Sequence, residues 1–209
     1  VRPLVGSVDA TTSKSKFKVA PGTEEIRFYS VETLTRNFYG LALAFSVSNA
    51  CATSCLDYAT ALLGNRLGGF SSGALFATYA ATSFFLSKSI VTTIGPKNGL
   101  TCGVIGYSAY VCGFLVSAML VNLLPSLASF ILLLTSIIGG IAGGVLWTSQ
   151  GLYFTRHAAL YAQSTAQEID RITGDFSAIF AVILLGMEMA VKLVGSIMFT
   201  LLGSYGIVA

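Results

Sequence analysis

The sequence predicts an all-α, polytopic membrane bundle of about five transmembrane helices, and three observations carry that prediction. Hydrophobic residues make up 54% of the 209 positions and charged residues only 10%, whereas soluble domains carry roughly 25% charge. Residues 37–56, 67–87 and 98–155 contain no charge at all, and 176–207 holds only Glu188 and Lys192. These runs are about twice the length of a barrel strand and lack its period-two alternation, which leaves helices as the spanning elements.

The elements follow in order. The first two uncharged runs predict spans over about 38–60 and 68–92. The run 98–155 would be about 87 Å long as a single helix, far more than a bilayer core of about 30 Å, so it crosses twice. Its break lies in Asn122-Leu-Leu-Pro125, where Asn suits a turn and Pro suits the first turn of the next helix. Spans over about 99–121 and 126–153 result. A fifth span is expected over about 175–203, with Asp175 as its cap after Gly174. Residues 156–175 form the one long polar connection, and Ala158, Leu160, Tyr161, Ile169 and Ile172 predict a weakly amphipathic helix at the membrane interface. The chain thus divides into a flexible tail, 1–36, and a transmembrane bundle, 37–209.

Orientation follows from the basic residues. Arg2, Lys14, Lys16, Lys18, Arg27, Arg36, Lys88, Lys97, Arg156 and Arg171 fall on one side if the helices alternate, and Arg66 alone falls on the other. The positive-inside rule then places the N-terminus in the cytoplasm. No apolar segment precedes a cleavage site near the start, and the first residue is Val1. A fragment or processed product is the expectation, and a plasma-membrane or endomembrane location stays open.

Several function classes are disfavoured. No basic patch interleaves with aromatics, so nucleic acid is not an expected partner; the lipid bilayer is. The four cysteines, Cys51, Cys55, Cys102 and Cys112, sit inside apolar runs and read as small core residues rather than metal ligands or disulfides. The only histidine, His157, has no carboxylate close by in sequence, and no metal spacing or nucleotide fingerprint appears. The chain is therefore expected to be no enzyme and to need no metal or cofactor. His157 reads as a headgroup-level residue beside Arg156, with a proton relay as the alternative.

The glycine run places Gly139 with Gly143 and Gly140 with Gly144 at helical spacing, with Thr148 and Gly151 continuing the second stripe. A phosphate loop needs a polar strand-to-helix turn, and these glycines lie in mid-span. They read as a helix-packing stripe. Trp147 and Tyr153 suit an aromatic belt at the end of the fourth span, while the amide of Gln150 needs polar partners.

Glu188 and Lys192 are one helical turn apart deep in the fifth span. A lone charge there costs at least about 2.5–3.5 kcal/mol, and the spacing permits an internal ion pair. A structural pair and a mid-membrane substrate, ion or proton site are both open. Asn49, in the first span, suits an interhelical hydrogen bond or a cavity wall. Asp57, near that span's outer end, suits a solvated position, paired with Arg66 at most, or the same cavity.

Certain motifs resemble the Unc-93-like branch of the major facilitator superfamily. They are Phe45-Ser-Val-Ser-Asn49-Ala, Ile94-Gly95-Pro96-Lys97, Gly106-Tyr107 with Tyr110, and above all Leu146-Trp147-Thr148-x-Gln150-Gly151-x-Tyr153-x-Thr155. The resemblance covers roughly 38–203 and implies a twelve-helix fold of two halves, of which this chain would be most of the first. A C-terminal half of the same protein is thereby an implied partner. Asn49, Asp57 and Gln150 would line a central cavity. The turn at Gly95, Pro96 and Lys97 falls where the superfamily's signature loop would lie, but it lacks that loop's acidic residue and most of its basic ones. The superfamily's gating ion pairs are therefore not implied. The resemblance implies transport of a small solute or ion, or else a non-transporting role as regulatory or trafficking partner of an ion channel or receptor.

Overall fold

The computed structural model describes residues 30–204, so the expected tail is described only from residue 30 onward. Helix α1 runs Val31–Ala81, a π turn follows at Thr82–Leu86, and α2 runs Ser87–Ile94. Then come α3 (Pro96–Leu120), α4 (Pro125–Thr165) and α5 (Ile169–Ser204). Four helical stretches are long and apolar enough to cross a bilayer, and the chain is an integral membrane protein. The first stretch, Val31–Ile94, has 64 residues, about 96 Å if straight.

It is not straight. Gly64 adopts φ 78° and ψ 155°, a region open essentially to glycine alone. A Cβ on Gly68 would lie 2.6 Å from the backbone carbon of Ala59, although nine residues along one helix span about 13 Å. The chain therefore folds back at Gly64, and α1 consists of two arms, 31–63 and 65–81. The second arm continues through the π turn and α2 as one pass. Gly95 repeats the device with φ 83° and ψ 154°. Gly99, four residues on, makes room for a different neighbour, the Ser149 side chain of α4. Pro96 then opens α3 and Pro125 opens α4, each at the start of its helix, where a missing N–H leaves no bond unmade.

Helix α4 is the centre of the bundle. Its glycines serve two neighbours. Cβ atoms on Gly140 and Gly144 would run into Leu75, Tyr79 and Thr82 of the second pass, while Gly139 and Gly143 face Tyr110 and Tyr107 of α3. The α3 side answers with its own stripe, since Gly103, Gly106 and Gly113 lie against Leu146, Ala142 and Thr135. Without a hydrophobic drive in lipid, such backbone approach is what helix packing there rests on.

One expectation is corrected at the other end of α4. The interfacial helix predicted within 156–175 does not form as a separate element. Helix α4 instead continues to Thr165, Ala166 caps it with φ 53°, and α5 begins at Ile169. The polar letters of this segment hide a packed face: Ala158, Ala162 and Ile172 are buried. With α4 running on for 18 more residues (147 to 165), Trp147 meets Phe45 edge-on, centroids 4.8 Å apart at 88°.

Candidate functional site

Helix α5 docks on the first arm of α1 in two different ways. Its initial half is held by aromatic rings. Phe176 stacks on Phe38 with centroids 4.3 Å apart, and Phe180 lies 5.6 Å from Phe45 and 6.2 Å from Phe154. Offset aromatic pairs of this kind add about 0.5–1.5 kcal/mol each beyond their burial. Past Phe180, none of the described α5 side chains is fully buried. That second half meets α1 through polar groups and through the stack of Phe199 on Tyr58, centroids 6.1 Å apart at 21°.

There Lys192 stands between two carboxylates. Its Nζ lies 2.9 Å from Asp57 Oδ2 and 2.8 Å from Glu188 Oε1. The Tyr58 hydroxyl donates to the Lys192 carbonyl at 3.4 Å, and a Cβ on Gly195 would lie 3.2 Å from the Tyr58 ring. Thr53 lies beside Glu188. From the Gly64 reversal, at about 1.5 Å per residue, Asp57 is about 10 Å down the first arm and Thr53, level with Glu188, about 16 Å. The cluster is only partly covered, with side-chain exposures of 53% at Asp57, 37% at Lys192 and 24% at Glu188. Two carboxylates and one ammonium leave a formal charge of −1.

The sequence marks Glu188 and Lys192 as a pair and gives Asp57 no partner but Arg66. The structure makes them one cluster, because Asp57 and Lys192 meet across the α1–α5 seam. Asn49 and Gln150 are placed elsewhere. Both are buried, one on the first arm and one on α4, and among the described residues no hydrogen bond or ion pair ties either to the cluster. Around Gln150, Thr148 donates its hydroxyl to the Gly144 carbonyl at 2.9 Å, and Gly151 faces open space. Tyr153 stacks on His157, centroids 5.7 Å apart at 14°.

His157 is packed between the helices. It is 5% exposed, and its Nε2 lies 2.6 Å from the Leu34 carbonyl oxygen. Because Leu34 is in the first arm, this bond ties α1 to α4, and Phe38 stacks on the same ring at 6.5 Å. Its place past the expected end of the fourth span hid this role, since only the continuation of α4 brings His157 against α1.

A family model described as ion channel regulatory protein UNC-93 matches residues 63–203, which is 141 of the 209 residues. The chain belongs to the UNC-93 family. No curated protein and no solved structure matches it. The matched stretch begins at the Gly64 reversal and ends within α5, so it contains the Gly95 turn, the Trp147–Tyr153 run, Glu188 and Lys192. Asp57 lies before it, on the UNC-93 chain's first arm.

Proposed function

We propose that this UNC-93 family chain is a non-transporting regulatory partner of an ion channel, acting within the membrane by helix-to-helix contact. The observation that carries the reading is the placement of the Asp57–Lys192–Glu188 cluster on an incompletely covered seam between α1 and α5, in a chain whose family is described as regulating ion channels. A carrier would turn such charges into an enclosed path. Two surface grooves, of about 630 and 640 Å³, lie between the second pass and α4 and between the first arm and α3, and neither includes a member of the cluster. The family's description as ion channel regulatory favours regulation over the expected transport of a solute or ion.

The same reading places the N-terminus in the cytoplasm. Among the described residues, Arg36, Lys88, Lys97, Arg156 and Arg171 sit near the helix ends remote from the Gly64 turn, and Arg66 sits beside that turn. It also keeps the five passes as a half-bundle of major-facilitator type, to which further helices of the same protein would add.

Two measurements test the function. Purified chain in liposomes should pass neither potassium nor sodium above the leak of empty vesicles. Co-expression with the channel that the chain regulates should change whole-cell current, and the combined variant Asp57→Asn, Glu188→Gln, Lys192→Met should abolish the change at equal surface expression. Ion flux through the chain alone would overturn the reading.

A further inference from the structure

We infer that the Asp57–Lys192–Glu188 cluster recognises a transmembrane helix of the partner that presents one arginine or lysine in the half of the bilayer nearer the Gly64 turn. The inference rests on the regulatory reading and adds the chemistry of the contact.

Charge complementarity is the argument. Lys192 Nζ is shared between Asp57 and Glu188 at 2.9 and 2.8 Å, so one ammonium is divided between two carboxylates. Among the described residues no further ion pair reaches either carboxylate. Arg66 lies past the Gly64 reversal, on the far side of the turn from Asp57. An unbalanced charge at this depth is unfavourable in hydrocarbon, and Asp57, about half exposed, presents it on the open side of the seam.

The neighbouring surface suits a helix. Leu185 and Met189 of α5 and Thr60 and Ala61 of α1 are exposed beside the cluster, giving an apolar bed with small side chains at one edge. Neutral lipid tails bring no charge to such a site. A second copy of this chain would bring another −1, and like charges brought face to face are repulsive. A basic side chain completes the balance at two against two. Arginine is the better fit, because its planar fork bonds a carboxylate with two N–H groups at once.

The test uses the full chain in phosphatidylcholine vesicles and a fluorescent Leu/Ala transmembrane peptide with one Arg in its outer third. Peptides with Gln or Glu at the same position are the comparisons, and association is read by energy transfer. Membrane polar contacts of about 0.6–1.7 kcal/mol convert to about 3- to 18-fold tighter binding of the Arg peptide than the Gln peptide, with the Glu peptide weakest. Asp57→Asn with Glu188→Gln should erase the preference, and Lys192→Met, which leaves −2, should enlarge it. Equal binding of Arg and Gln peptides overturns the inference, as does a preference that survives in Asp57→Asn with Glu188→Gln. Energy transfer between two labelled copies of the chain that Asp57→Asn with Glu188→Gln abolishes assigns the seam to self-association and also overturns it. Channel modulation with no peptide preference removes this site and leaves the regulatory reading. Peptide preference with no modulation does the reverse.

Discussion

Gly140→Ala probes the reason for the glycine run directly. A Cβ there would meet the Thr78 hydroxyl and the Leu75 carbonyl, and would lie 2.9 Å from the Tyr79 backbone nitrogen. Two of the three are backbone atoms, which cannot rotate away, so the second pass must shift as a unit. Overpacking of this kind costs about 1–3 kcal/mol. Alanine also gains about 0.5–1 kcal/mol over glycine within a helix, which partly masks the cost. Gly151→Ala supplies the correction, because Gly151 lies in the same helix with nothing within 4 Å of its added Cβ. Both variants gain the propensity term, so their difference isolates the packing term at about 1–3 kcal/mol. Unfolding in detergent micelles by SDS titration measures it, with Gly151→Ala at or above wild-type stability and Gly140→Ala below it. Equal stability of the two would refute the close approach of α4 to the second pass.

Other positions give independent checks. Gly64→Ala should destabilise by about 1–3 kcal/mol in the same titration, because its positive φ excludes a side chain; Gly73→Ala, which faces open space, should not. His157→Phe keeps the ring stack but removes the bond between α4 and the Leu34 carbonyl, which keeps its own helical partner, at about 0.5–1.5 kcal/mol, and hydrogen exchange should quicken first around 34–38. Lys192→Met alone leaves two carboxylates together in the membrane, so its yield of folded protein should fall below that of the variant that also carries Asp57→Asn and Glu188→Gln. A glycosylation acceptor inserted after Asn65 should be modified in microsomes, and one inserted at 166–168 should not; the opposite pattern would invert the orientation.

Some of this was legible without a fold. Uncharged length is a one-dimensional quantity that a bilayer of fixed thickness converts into passes, so 98–155 had to cross twice and Pro125 marked where. The break at Asn122–Pro125 fell within a residue or so of the observed turn for that reason. The reversal at Gly64 also left a trace. Gly64-Asn-Arg-Leu-Gly68 and Gly95-Pro-Lys-Asn-Gly99 share one spacing, and at both turns the first glycine takes a positive φ, while Gly68 lets the second arm close on the first and Gly99 admits Ser149 of α4.

Partnership between distant residues was not legible. Nothing in one dimension says that Gly140 and Gly144 face the second pass, that Gly139 faces α3 and that Gly143 lies between Tyr107 of α3 and Tyr79 of the second pass, since all four occupy the same uncharged run. The polar composition of 156–165 concealed a helix end, because its burial depends on Phe38, Leu34 and Phe176 arriving from two other helices. Above all, the sequence paired Lys192 with Glu188 by helical spacing alone. Only the docking of α5 along the first arm brings Asp57 to the same ammonium, and that turns a neutral pair into a negative site. By itself the sequence determined what must lie in lipid, through the transfer cost of charge. The tertiary structure decided which charges share a site, because that depends on which helices pack side by side.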